Sequence, residues 1–311
     1  MNAKEIAARL LGGDNFLIVT HLRPDGDTLG SAAALCLALR KAGKEAFLFP
    51  NPQVTETYQP YVVPLFAPEG FCPACTVAVD VADTKMFSFG FAGQVDVALD
   101  HHPSNTGYAE LSLVMPEKAA CGEIVLLVVR EMGIELDPDI ASMIYMAVST
   151  DTGCFAYSNT TADAHRVSAE MIEAGARLEK LNKILFRTVS AARLKLEGMI
   201  YTGLRRYRDG QINIAVVSLE MMREAGATED DFDDLAALPG RIKGNKVSVT
   251  VRELRPNHCK VSVRTGTEAD ASAICAVYGG GGHKMAAGCE LDASPDETAE
   301  KMLEAINGVW K

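Results

Sequence analysis

A chain of 311 residues, 48% hydrophobic and 23% charged, exceeds what one core usually serves and predicts two domains of about 100 to 200 residues each. A net charge of −11 excludes binding of long duplex nucleic acid through phosphate contacts, which needs a basic surface. No apolar run approaches the ~18 residues of a membrane span, and the opening "MNAKEIAARLLGGD" has acidic residues and no signal-like apolar centre, so a cytoplasmic protein with no membrane partner is expected.

In chain order, the run "FLIVT" reads as a strand, followed by a helix beginning near Thr28, the strands "EAFLF", "TVAVDV" and "VDVALD", and the helices "AACGEIVLLVVREMG" and "PDIASMIYMAVST". Short Val-rich runs alternating with helices predict an α/β fold: a doubly wound, mostly parallel sheet with helices on both faces. From Asn182 to Arg208 the pattern reads as one long helix that ends at the turn pair Asp209-Gly210. Beyond it "QINIAVVS", "KVSVTVREL" and "HCKVSVRT" alternate like strands of a smaller α+β domain with a mixed or antiparallel sheet. The expected organisation is a catalytic domain over 1–185, a helical connector over 186–208 and a substrate-binding domain over 209–311.

The eight cysteines are scattered through apolar segments, as small buried hydrophobes in a reducing compartment are. Only Cys72 and Cys75, in "CPAC", are paired; with no second Cys or His pair they read as a turn before the strand "TVAVDV". Residues 1–185 carry 13 Lys and Arg against 23 Asp and Glu, whereas residues 186–311 carry 17 against 18. The acidic excess is confined to the first part, as expected where carboxylates serve divalent cations.

Chemistry concentrates where strands end. His21 closes "FLIVTH", Asp80 sits in "VAVDVADT", and Asp100, His101 and His102 close "VALDHH"; in an open α/β sheet such carboxyl ends converge on the ligand. Asp25 and Asp27 follow His21 within one short loop, and Asp151 follows a helix, where the dipole disfavours a carboxylate. Taken singly these are ordinary: Asp25-Gly26 is a turn pair, Asp27 or Thr28 a helix cap, Asp80 and Asp151 turn residues. Taken jointly, four carboxylates packed together repel unless cations neutralise them, and the mixed O and N donors suit Mn²⁺ or a similar divalent ion.

The motifs "HLRPDGDTLGS", "VDVADT", "LDHHPSN" and "STDTGCF", in this order and spacing, resemble the four motifs of the DHH phosphoesterase family over roughly residues 15–160. "KVSVRT" followed by "YGGGGHKMAAG" resembles the DHH-associated C-terminal domain of the oligoribonuclease (nanoRNase) and pAp-phosphatase members. The resemblance implies two divalent metal ions, one held by His21, Asp25 and Asp80, the other by Asp27, Asp80, His101 and Asp151, with Asp80 bridging. It also implies that His102 faces the substrate phosphate and that Asp100 orients the histidine pair. Two such ions activate a water and stabilise charge on phosphoryl oxygens, and His102 fits the role of general acid. The implied activity is hydrolysis of short oligoribonucleotides to mononucleotides and of pAp to AMP and phosphate.

In the C-terminal part Gly280, Gly281 and Gly282 of "GGGGH" can form a nest of backbone N–H groups for a phosphate. By resemblance His283 and Arg264 grip the phosphate or base, with Lys284 a weaker candidate. A gap between a cutting and a holding domain limits the substrate to a few nucleotides, and the acidic charge agrees. Relatives often carry an Arg after the Phe of "TDTGxF", where this chain has Ala156. A cyclic di-AMP or pApA phosphodiesterase is the alternative within the same chemistry; a nucleotide sensor without metals is the rival from another class. The sequence sets no oligomeric state, and a homodimer is one that it permits.

Overall fold

The computed structural model describes residues 1–232 and 235–310, the side chain of Asp230 excepted; positions 233, 234 and 311 of the expected third segment lie outside the described residues. The chain divides into two compact units, Met1–Thr188 and Val189–Lys311.

The first unit begins with helix α1 (Ala3–Leu11), strand β1 (Phe16–Val19), helix α2 (Gly26–Lys41) and strand β2 (Ala46–Leu48). After the short helix α3 (Gln59–Val62) come strands β3 (Cys75–Val79), β4 (Val97–Asp100) and β5 (Leu111–Val114). Helices α4 (Cys121–Glu131), α5 (Pro138–Asp151), α6 (Ala162–Glu173) and α7 (Leu178–Phe186) complete it. The five strands pair in parallel in the order β2-β1-β3-β4-β5. β1, β3 and β4 are buried along their whole length, which explains their unbroken apolar composition. β5 was not legible as a strand: it lies at the sheet edge, short and only half-buried.

Helix α2 is buried on nearly every side, so its sequence lacks a polar stripe. Its glycines allow the approach of α5: a Cβ at Gly26 would lie 2.4 Å from the Thr150 side chain, and one at Gly30 would lie 2.5 Å from the Met143 carbonyl oxygen. A Cβ at Gly122 in α4 would likewise meet the Ala147 methyl at 2.6 Å. Small residues thus bring the last turn of α5, with Asp151, against the start of α2 and of α4.

The second unit holds helix α8 (Ala191–Thr202), strands β6 (Arg205–Tyr207) and β7 (Ile212–Val217), helix α9 (Leu219–Ala225), and strands β8 (Val247–Arg255) and β9 (His258–Thr265). Helix α10 (Ala271–Ala276), strands β10 (Gly281–His283) and β11 (Ala286–Leu291), and helix α11 (Pro295–Val309) follow. The sheet order is β10-β11-β9-β8-β7-β6, antiparallel except for the β7–β8 pair, so the sheet is mixed. Alternate residues of β7 enter separate cores: Ile212 and Ile214 join Met302 and Ile306 of α11, whereas Ala215 and Val217 join Leu196 and Ile200 of α8.

The expected single helix over 182–208 is corrected. α7 stops at Phe186, the Ser190 hydroxyl accepts from the Arg193 N–H to start α8, and Arg205–Tyr207 is an edge strand. Periodicity alone missed the break because apolar spacing continues across it, while the β-branched pair Thr188-Val189 and the Ser190 cap supply the interruption.

Candidate metal centre

Parallel pairing puts the carboxyl ends of β1, β3 and β4 along one edge of the sheet, and β2 and β3 leave β1 on opposite sides, which makes this edge the topological switch point. His21 follows β1, Asp80 follows β3, Asp100 ends β4, and His101 and His102 come next. Asp25 caps α2, its Oδ1 accepting from the N–H groups of Asp27 (3.0 Å) and Thr28 (3.2 Å). The cap expected at Asp27 or Thr28 is therefore Asp25, and the helix starts two residues earlier.

Asp27 is buried and serves another helix. Its carboxylate accepts from the N–H groups of Cys121 (2.6 Å) and Gly122 (3.0 Å), the first two residues of α4, whose own N-cap is Ala120. A carboxylate from α2 thereby does what Ala120 cannot, and α4's positive end helps to hold the charge.

The two histidine rings are aimed by backbone carbonyls. His21 Nδ1 lies 2.8 Å from the Leu22 carbonyl and His101 Nδ1 3.2 Å from that of Lys118. A carbonyl only accepts, so each Nδ1 carries a proton, and each Nε2 is turned toward the carboxylates. His21 Nε2 faces Asp25 Oδ1 (3.6 Å) and Asp80 Oδ2 (3.8 Å). His101 Nε2 faces Asp80 Oδ1 (3.4 Å), Asp27 Oδ2 (3.7 Å) and Asp151 Oδ2 (4.0 Å). Asp80 turns one oxygen to each group. Among the described residues, His21–Asp25–Asp80, Asp27–His101–Asp151 and Asp80–His101–His102 are spaced to hold a metal ion.

Asp80 sits at φ 60°, a left-handed conformation that Asp and Asn tolerate best, and its buried Oδ1 accepts no hydrogen bond. Burial first, and then repulsion from Asp27 and Asp25, push its carboxyl well above the usual range. Asp27 is raised likewise by burial and by Asp151 and Asp25, and Asp151 is raised by burial and Asp25 against the pull of His101. Imidazole nitrogens gathered among carboxylate oxygens, an orphaned buried oxygen and mutually repelling acids form a cluster whose repulsion cations would neutralise. The donor set fits divalent metals.

Beside this cluster Asp100 is fully buried and accepts from His102 Nδ1 (2.8 Å), the His102 N–H (3.1 Å) and Asn105 Nδ2 (2.7 Å). Burial alone would raise its pKa, but these bonds outweigh it and hold the carboxyl below the usual range. The Asp100 hydrogen bond raises the pKa of His102 against partial burial, and that ring remains 40% exposed.

Three supporting residues were not singled out by the sequence. Asn105 secures Asp100; Asn159 Nδ2 donates to Asp151 Oδ2 (3.1 Å) and to the Ala119 carbonyl (3.2 Å); Asn51 Nδ2 donates to the His21 carbonyl (3.0 Å). Asn105 was within reach inside "LDHHPSN", whereas Asn51 lies 30 residues from its partner and gave no signal. Cys75 opens β3, and burial pushes its thiol up to about 11, away from the thiolate a zinc site needs. Ala156 is exposed in the turn after Asp151, where its N–H donates to the Thr152 carbonyl.

In the second unit the registers Arg264↔Ala286 and Ala286↔His283 put Arg264 and His283 on one sheet face with a small residue between them. Both are exposed. The expected glycine nest is corrected. The N–H groups of Gly279 and Gly280 donate to the Ala276 and Cys275 carbonyls, closing α10, and Gly281–His283 pairs with β11 as an edge strand. Gly280 and Gly282 are required by close approach, since a Cβ would meet the Gly288 oxygen at 2.3 Å or the Ala286 oxygen at 2.7 Å; at Gly281 it would meet nothing within 4 Å.

Known proteins share this architecture and sequence. The DHH family N-terminal domain matches residues 15–148, and the DHHA1 domain matches residues 211–311. The "Bifunctional oligoribonuclease and PAP phosphatase NrnA" of Thermus thermophilus is 34% identical over 294 residues, covering 93% of this chain and 88% of that protein. The chain belongs to the DHH family. The protein of the same name from Bacillus subtilis is 25% identical, covering 96% of this chain and 95% of the relative. Within the family fold, the crystal structure of an exopolyphosphatase-related protein from Bacteroides fragilis superposes with a TM-score of 0.85 at 20% identity, covering 98% of this chain and 96% of that one. RecJ from Thermus thermophilus, solved in complex with Mn²⁺, superposes at 0.53 with 15% identity, covering 98% of this chain and 54% of RecJ.

Proposed function

We propose that this DHH-family chain is a divalent-metal-dependent phosphoesterase that hydrolyses short oligoribonucleotides to mononucleotides and pAp to AMP and phosphate. The observation that carries the reading is the pair of Nε2 atoms set among four carboxylates, with Asp80 turned to both. The substrate class rests on the relatives named for oligoribonuclease and PAP phosphatase activity, matched over nearly the full length of both chains.

In this reading His21, Asp25 and Asp80 hold one ion, and Asp27, Asp80, His101 and Asp151 the other. The mixed O and N donors favour Mn²⁺. Bound divalent ions would supply Lewis-acid stabilisation of the phosphoryl oxygens and a water made acidic enough to attack at neutral pH. His102, whose pKa the Asp100 hydrogen bond raises, donates a proton to the leaving oxygen or a hydrogen bond to the phosphate. Arg264 and His283, which share one sheet face, bind a phosphate or base of the nucleotide. No helix among the described residues is long and apolar enough to cross a membrane, and all eight cysteines are free, which supports a reducing cytoplasm as the place of work.

The test is hydrolysis with Mn²⁺ and with chelator of pAp, of 5′-phosphorylated RNAs from dinucleotide to pentanucleotide, of a long RNA and of cyclic di-AMP. Metal-dependent release of mononucleotides from the short RNAs and of phosphate from pAp is the expected result. Preference for cyclic di-AMP, or turnover in chelator, contradicts it.

A further inference from the structure

The segment Met86–Phe91 runs beside the loop that carries His21. The Leu22 N–H donates to the Met86 carbonyl (2.6 Å), His21 bridges Phe87, and the Ser88 N–H and hydroxyl donate to the Thr20 carbonyl at 3.0 and 2.7 Å. Edge-to-face contacts of Phe87 with Phe91 (5.1 Å) and Tyr108 (5.2 Å), and of Phe91 with Phe49 (5.4 Å), fix the segment from below. In the middle of this pinned segment Phe89 is 74% exposed, higher than any other large hydrophobic described, and enters no ring pair among the described residues. Met86 (41%) and Leu22 (38%), joined by their backbone hydrogen bond, also expose apolar surface.

An aromatic ring exposed on this pinned backbone, two residues from the partner of His21, gives nothing to the core. We propose that Phe89 is the stacking platform for the nucleobase of the substrate whose phosphate lies at the metal centre. This rests on the proposed phosphoesterase function. Two arguments select a base as the occupant. The first unit is acidic, so beyond the metal centre that takes the phosphate it offers a nucleotide little ionic attraction, and a base is held there by uncharged contact. Every base has a π-face, so stacking serves an enzyme that degrades mixed sequences. The pinned backbone spares the ordering cost on binding.

The experiment compares the full-length wild type with Phe89→Ala and Phe89→Trp on pAp and on ribose 3′,5′-bisphosphate, which lacks the base. Stacking predicts that Phe89→Ala raises KM for pAp by about 5- to 150-fold, the equivalent of about 1–3 kcal/mol per stacked base, with kcat little changed. The base-free substrate keeps its KM, and Phe89→Trp retains or improves that for pAp. A second readout needs no turnover: with chelator present, AMP quenches the added indole of Phe89→Trp, ribose 5-phosphate does not, and the single native Trp310 supplies the baseline. Equal effects on both substrates, no effect on either, or a change in self-association alone overturns the platform. Quenching in a protein that hydrolyses neither pAp nor short RNA overturns the catalytic reading and leaves the platform standing.

Discussion

Asp80 combines a left-handed backbone, a buried oxygen without a donor and a charge that burial disfavours. Each feature costs stability in the metal-free protein, and in the proposed reading bound cations would offset all three. Asn keeps the shape and tolerates the same φ, so Asp80→Asn is expected to bind no metal yet to melt higher than the wild type in chelator, by about 2–4 °C per kcal/mol recovered. The pH dependence follows from the sign of the shift. A carboxyl whose folded pKa is raised favours folding only while it is protonated, and that contribution is lost as pH rises from near 4 through the folded value. The melting advantage of Asp80→Asn in chelator is therefore small near pH 4 and grows toward neutrality; an advantage that shrinks with pH contradicts the account. His102→Ala is expected to lower kcat by about 10²- to 10⁴-fold while metal content per chain stays that of the wild type, which metal analysis beside single-substrate kinetics checks. Full activity in that variant removes the general-acid role.

At the scale of elements, the site depends on two helices approaching through glycines. In Gly30→Ala the new methyl meets the backbone of Met143 and Ala147, which no rotamer change relieves. A loss of about 1–3 kcal/mol in denaturant unfolding is expected, together with weaker metal binding as Asp151 moves away from Asp27. Gly281→Ala is the neutral control, since its Cβ meets open space. The same geometry explains what could be read beforehand. β1, β3 and β4 were legible because burial on both faces leaves an unbroken apolar run, and their terminal His and Asp residues mark the sheet edge where ligands bind. β5 and the break at Thr188–Ser190 were not, because a half-buried edge strand and a cap between two apolar helices leave no distinct period. The capping of α4 by Asp27 and the closure of α10 by the glycine run were hidden for a different reason: both depend on which backbone N–H groups the fold has already used.

For the whole molecule, the charge distribution sets what it can degrade. The excess of carboxylates falls in the part that holds the Asp–His cluster, and a net charge of −11 disfavours the collection of a long polyanion. Turnover of a long RNA is expected to stay well below that of a dinucleotide, with weak salt dependence of KM, because few counterions are released on binding. Each unit carries its own buried core, so metal binding is expected to raise the melting temperature of the first unit's transition in calorimetry and to leave the other unchanged. The most direct test of the central claim measures bound Mn²⁺ per chain and pAp hydrolysis in the same samples as stripped protein is titrated with the metal. The account predicts two ions per wild-type chain, with activity appearing as the second one binds and none in Asp80→Asn. Turnover by metal-free protein, or full activity with Asp80→Asn, would contradict it.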